Sequence, residues 1–191
     1  YYLDANQRYD SYDRIMQLIE HLSKIGALDQ TILLEEPFAE ENRSPVESFP
    51  ITVVADESAH TVADTAARLD LGYGAVALKP IAKTMSMSLK VAELCHRRNI
   101  PAFCADLTVN PWLVEWNKLA ASRLAPIPGQ TLGLQETNGF QNYEHRWQCK
   151  QFQSKRRLFE KPLWLGKESI NNKKIYYIGS GNDNINKFKN C

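Results

Sequence analysis

In this 191-residue sequence, five charged residues each stand directly after a short apolar run. Asp4 follows Tyr1-Tyr2-Leu3, Glu35 follows Ile32-Leu33-Leu34, and Asp56 follows Ile51-Thr52-Val53-Val54-Ala55. Lys79 follows Ala75-Val76-Ala77-Leu78, and Asp106 follows Ala102-Phe103-Cys104-Ala105. Three carboxylates brought to one place repel one another unless a positive charge sits among them. Oxygen donors without His or Cys in the set favour Mg²⁺, or Mn²⁺, over Zn²⁺. A lysine facing such a cation has its pKa lowered and can exchange a proton with a substrate near neutral pH.

The elements that must carry these residues alternate along the chain. The apolar runs have the length of strands buried on both faces, as in a parallel sheet covered by helices. Thr131-Leu132-Gly133-Leu134 reads as one more strand. Between the runs lie helical stripes. Ile15, Leu18, Ile19, Leu22 and Ile25 precede Gly26, and Val62, Ala66, Leu69 and Leu71 precede Gly72, each glycine suiting a helix C-cap. Leu89, Ala92 and Leu94 mark a third helix before Asn99-Ile100-Pro101, and Asn110-Pro111 opens a fourth. The repeating order predicts a parallel α/β domain, with the strand-end charges meeting on one face. No GxGxxG or phosphate-loop lysine follows a strand, which argues against a nucleotide-binding sheet.

Two doublets leave a choice of side chain, because neighbours on a strand point to opposite faces. Either Glu35 or Glu36, and either Asp56 or Glu57, faces the site, and the other member of each pair supports it from behind or is salt-bridged. Lys83 reads as a surface lysine at a helix entry. Ser58 reads as an N-cap, since no Ser/His/Asp set surrounds it. His21 and His96 fall in helical stripes, His60 starts a helix, and His145 lies beyond the last clear strand; none has the setting of a catalytic base.

The net charge of +1 gives no whole-molecule argument for nucleic acid, and no apolar run is long enough to span a membrane. Residues 1–149 hold 13 Lys and Arg against 19 Asp and Glu, whereas residues 150–191 hold 10 against 3. The strand–helix alternation stops near the same point, so two segments are expected: 1–147, and a basic, Lys- and Asn-rich tail over 148–191 with irregular structure. Lys155-Arg156-Arg157 reads as a solvated end rather than an RNA-binding arm. Cys95, Cys104, Cys149 and Cys191 show no CxxC spacing and read as reduced thiols of a cytoplasmic-type protein.

Asp4-Ala5-Asn6, Glu35-Glu36-Pro37, Ala55-Asp56-Glu57-Ser58 and Leu78-Lys79-Pro80 occur in the order and rough spacing of the enolase superfamily, with gaps of 31, 21 and 23 positions between the lead residues. The sequence resembles the muconate lactonizing enzyme branch, and mandelate racemase more distantly, over roughly residues 1–140. The resemblance implies a partial TIM-type (β/α) barrel, strands three to eight. It implies Asp4, Glu35 and Asp56 as ligands of Mg²⁺ and Lys79 as the acid/base. Asn6, Glu57, Lys83, Asp106 and Glu136 are candidates for contacting substrate or supporting those groups.

The implied chemistry is that of a lyase or isomerase. A base takes the proton α to a substrate carboxylate and the metal stabilises the enediolate, as in a racemase or epimerase, a cycloisomerase or a dehydratase. The sequence departs from the pattern in several places. No residues correspond to the N-terminal capping domain or to strands one and two, and no KxK motif precedes Asp4. Gln135-Glu136-Thr137 stands where dipeptide-epimerase relatives carry DxD. A truncated reading frame is therefore expected. The rival reading is a non-catalytic remnant that keeps the metal motif and self-associates through open barrel edges.

Overall fold

A computed structural model describes residues 1–105, 112–131, 133–136, 168–170 and 173–178. The chain divides into two compact units, one formed by Tyr1–Lys79 with Lys83–Ala102 and the other by Pro80–Ala82 with Phe103–Cys191.

The first unit contains four short parallel strands, β1 (Tyr2–Asp4), β2 (Leu33–Glu35), β3 (Thr52–Ala55) and β4 (Ala75–Leu78), hydrogen-bonded in sequence order. Helix α1 (Tyr12–Lys24) and a 3-10 turn at Leu28–Gln30 connect the first two strands. Helices α2 (Val62–Asp70) and α3 (Met85–Arg97) follow β3 and β4. The apolar runs vanish into the interior: β4 is buried at all four positions, and Leu33, Leu34, Val53 and Val54 are almost wholly covered. Ile15, Ile19 and Leu22 supply the inner stripe of α1, as their spacing predicts.

Each of these three helices stops in the same way. After α1, the Gly26 N–H donates to Ser23 and the Ala27 N–H to Leu22; Gly26 has φ +70°. After α2, Gly72 at φ +94° and Tyr73 bond back to Leu69 and Arg68. Asn99 at φ +55° and Ile100 close α3 on His96 and Cys95. These are Schellman closures, which satisfy the last carbonyls and turn the chain sharply into the next strand. At the other end of α2, Thr61 and Asp64 form a capping box. The N-cap expected at Ser58 therefore lies three residues further on, and Ser58 has another task.

The second unit begins again at Phe103, within β5 (Ala102–Cys104), whose Cys104 pairs in parallel with Gln135 of β6 (Gly133–Glu136). Helix α4 (Trp112–Ala121) lies between them in sequence, and Ala121 packs with Cys104. The expected Asn110-Pro111 helix start lies outside the described residues. Of the tail, two strands are described, β7 (Glu168–Ile170) and β8 (Lys173–Ile178), antiparallel to each other, with β8 parallel to β6. The rest of the expected irregular tail lies outside the described residues.

Candidate active site

Strand register decides which charges share a face. Asp4 pairs with Glu35, and Glu35 pairs with Val54. Asp56 comes two residues after Val54. Ala55 pairs with Val76, so Lys79 again stands two residues beyond the position level with Asp56. Side chains alternate along a strand, so offsets of zero or two leave Asp4, Glu35, Asp56 and Lys79 on one face. A stepped register of this kind is how tilted barrel strands bring their ends to a common level.

The four residues meet very different environments. Glu35 and Asp56 are buried, and Asp4 is exposed. Asp4 accepts at both carboxylate oxygens from Asn6, from the backbone N–H at 2.9 Å and the side-chain amide at 2.5 Å. Asn6 and Gln7 take positive φ, so this turn folds back tightly on the strand end. Asp56 Oδ2 lies 2.5 Å from Lys79 Nζ, and its Oδ1 lies 3.4 Å from Lys83 Nζ.

Lys79 is well covered, and burial, the largest single influence, pulls its pKa down. Attraction to Asp56 and a hydrogen bond with it, together with Glu35 and Glu57, outweigh that influence and hold the pKa above the ordinary lysine value. The ammonium stands among anions here, and these set the direction of the shift.

The residues behind this face are more than filling. Glu36, expected from sequence to support the site from behind or to be salt-bridged, is 0% exposed. Its Oε2 accepts from the Asp56 N–H at 2.7 Å, the Ser58 N–H at 3.2 Å and the Ser58 hydroxyl at 2.9 Å, while Oε1 is buried without a partner. Burial raises the pKa of Glu36, and the hydrogen bonds from Asp56 and Ser58 oppose that rise. Glu57 is half-buried, and its pKa is raised by burial and then by the neighbouring Asp56 charge.

Lys83 is no surface lysine. Its ammonium donates to the backbone carbonyls of Asp56 and of Ala59, the latter at 3.2 Å, besides facing the Asp56 carboxylate. Further back, the buried Arg68 donates to the carbonyls of Asn42 (2.7 Å) and Glu40, and lies 5.5 Å from the Tyr73 ring centroid.

The sequence carried a signal for some of this. Thr61-x-x-Asp64 is a capping-box pattern that would have released Ser58 from the N-cap role. Nothing in the spacing of Lys83 or Arg68 announced their burial. Glu136 is buried in the second unit, and Asp106 lies outside the described residues. His60 pairs with Glu40 at 2.9 Å on an exposed edge, away from any catalytic setting. His145 lies outside the described residues.

The oxygen-only set of Asp4, Glu35 and Asp56 suits a hard divalent cation in donor chemistry and in face. Among the described residues no group of three or more His, Cys, Asp or Glu side chains stands ready to hold a metal ion. The positive charge beside Asp56 is instead supplied by Lys79 and Lys83.

No family model and no curated protein matches the sequence. Among solved structures, the chain is similar to a mandelate racemase/muconate lactonizing protein from Herpetosiphon aurantiacus. The identity is 19% and the TM-score 0.50, over 55% of this chain and 30% of that one. It also matches a 2-chloromuconate cycloisomerase from Rhodococcus opacus 1CP at 25% identity and a TM-score of 0.47, over 55% and 29% of the two chains. The L-Ala-D/L-Glu epimerase from Bacillus subtilis matches at 18% and 0.47, over 56% and 30%. This chain therefore spans about 30% of the length of the structures it matches. The fold is the α/β fold of a partial TIM-type (β/α) barrel, as the motifs and their order led one to expect.

Proposed function

We propose that this chain carries the metal-binding part of a Mg²⁺-dependent lyase or isomerase that moves the proton α to a substrate carboxylate. One observation supports this above the others: Lys79, a proton-carrying group, lies 2.5 Å from Asp56, on the same face as Glu35 and Asp4. A buried lysine in contact with a strand-end carboxylate is an arrangement that proton transfer can use.

In this reading Asp4, Glu35 and Asp56 would hold the cation, which would supply positive charge to the substrate carboxylate as its α-proton leaves. Lys79 Nζ carries the proton. In its ammonium form it delivers a proton to carbon; as the free amine it removes one. Asp56 sets the direction of the Lys79 ammonium through their short contact, and Asn6 holds both oxygens of Asp4. A cation at Asp56 would reduce the net negative charge around Lys79 and bring its pKa down from the raised value it has among anions. Cys95 and Cys104 are buried and take part in no disulfide with each other, which suits a cytoplasmic setting. No helix among the described residues is long and apolar enough to cross a membrane.

The experiment is Mg²⁺ titration by calorimetry on the folded chain and on Asp56→Asn. Saturable binding that the substitution abolishes is the expected result. Equal affinity in both proteins overturns the ligand assignment. A second reading, a non-catalytic module, is favoured by Asp56 already having an ammonium group beside each carboxylate oxygen. Folded protein without any Mg²⁺ binding selects it.

A further inference from the structure

The short loop after β3, Asp56–Ala59, is gripped from two sides by opposite charges. On one side the buried Glu36 carboxylate collects donors: the Asp56 N–H, the Ser58 N–H and the Ser58 hydroxyl, all on a single oxygen. On the other side the Lys83 ammonium collects acceptors: the backbone carbonyls of Asp56 and Ala59. Both polar groups of the Asp56 backbone are therefore bonded to charged side chains from other segments of the same unit.

We propose that Glu36 and Lys83 are the positioning residues of Asp56, a two-sided clamp that fixes where its carboxylate stands. The physical reason is specific to strand ends. Beyond Ala55 the chain leaves the β3 ladder, so sheet hydrogen bonds no longer fix the orientation of the peptides at Asp56. Charge-assisted bonds are stronger than neutral ones and have direction, so an anion on the N–H side and a cation on the carbonyl side hold those peptides against rotation. Glu36 is itself fixed by strand geometry. Its N–H donates to Val54 at 2.9 Å, its carbonyl accepts from Gln7 at 2.7 Å, and its φ of +34° turns the chain at the strand end. Lys83 is placed by a backbone bond to the Lys79 carbonyl at 2.8 Å, so both lysines that touch Asp56 descend from one turn. Neither Glu36 nor Lys83 needs to touch a substrate to act in this way.

The inference deepens the proposed metal role of Asp56 and rests on it for its effect on affinity, while the clamp itself can be tested separately. Backbone amide spectra are recorded for the full chain, for Glu36→Gln, and for Lys83→Met and Lys83→Arg, with Mg²⁺ titrations alongside. Glu36→Gln is expected to move the amide protons of Asp56 and Ser58 upfield, because a charged acceptor becomes neutral, and to leave Val53 in place. Lys83→Met is expected to shift the amide nitrogens of Glu57 and His60, which follow the two carbonyls that lose the ammonium, although the Asp56 carbonyl keeps its bond from the Ala59 N–H at 2.9 Å. Lys83→Arg should retain most of the original positions.

Glu36→Gln should weaken Mg²⁺ binding by about 10-fold or more, the usual scale for removing a group that orients a ligand; Lys83→Met is compared with Lys83→Arg, because it also removes a positive charge 3.4 Å from the Asp56 carboxylate. Unmoved resonances at those four residues overturn the clamp. Moved resonances with unchanged Mg²⁺ affinity overturn its positioning of Asp56. If the parent chain binds no Mg²⁺, the proposed function fails, and the resonances alone decide whether the clamp exists.

Discussion

Asp56 is held through its side chain and its backbone alike. Both carboxylate oxygens face ammonium groups, and both backbone polar groups are bonded to side chains from other segments. Replacing Lys79 with Met would leave a buried carboxylate with one ammonium instead of two. Equilibrium denaturation in urea should then show a loss of about 3 kcal/mol, the scale for breaking a buried pair by removing one partner. A loss within error of zero would mean that water reaches Asp56 freely. Cys95 makes a different residue-level prediction. Burial pushes its thiol up to about 11, so the reactive thiolate is scarce at neutral pH. An aromatic disulfide reagent should leave Cys95 unmodified in the folded chain and modify it in denaturant; mass mapping of the labelled peptides distinguishes the two states.

Among the secondary-structure elements, the helix ends carry the precision of the first unit. Gly26 and Gly72 both take positive φ, yet their surroundings differ. A Cβ on Gly26 would meet nothing within 4 Å, whereas one on Gly72 would come within 2.7 Å of the Glu47 backbone nitrogen. Gly26→Ala should therefore cost only the left-handed backbone penalty, about 1 kcal/mol. Gly72→Ala adds a backbone clash and should cost at least ~3 kcal/mol. Paired urea melts give the comparison, and equal losses would show that the 46–49 segment simply moves aside. Thr61→Ala removes one half of the α2 capping box and should cost about 1 kcal/mol in the same assay.

On the scale of the whole molecule, β1 has β2 on one side and stands at the edge of the described strand order. An unprotected edge strand presents backbone groups that another chain can pair with. Sedimentation velocity over a hundred-fold range of concentration should show a rising sedimentation coefficient. A single monomeric species throughout would remove the edge as an association site. The near-neutral net charge of +1 gives no strong self-repulsion to oppose such contact.

Some of this architecture is written locally and was legible in the sequence. Apolar runs of strand length alternate with stripes at helical spacing, because burial on both faces of a strand and on one face of a helix imposes different periods. Gly26, Gly72 and the Asn99-Ile100-Pro101 turn announced the helix ends, since few other residues accept a left-handed backbone. The placement of Asp4, Glu35, Asp56 and Lys79 at strand ends could be read for the same reason: charge cannot be buried inside the runs themselves.

Other features depend on contacts between distant segments, and no local pattern contains them. Ser58 turned out to be a partner of Glu36 rather than a helix cap, and Lys83 a partly buried donor to the Asp56 and Ala59 carbonyls rather than a surface residue. Glu36 lies 20 residues from the Asp56 N–H it accepts, and Lys83 lies 27 residues from the Asp56 carbonyl it binds. The direction of the Lys79 pKa also belongs to the tertiary structure, because it is set by which charges the folded chain brings beside the ammonium. Sequence fixes residue type and period along one strand or helix; only the folded chain decides which charges meet across segments, because those meetings depend on register and packing.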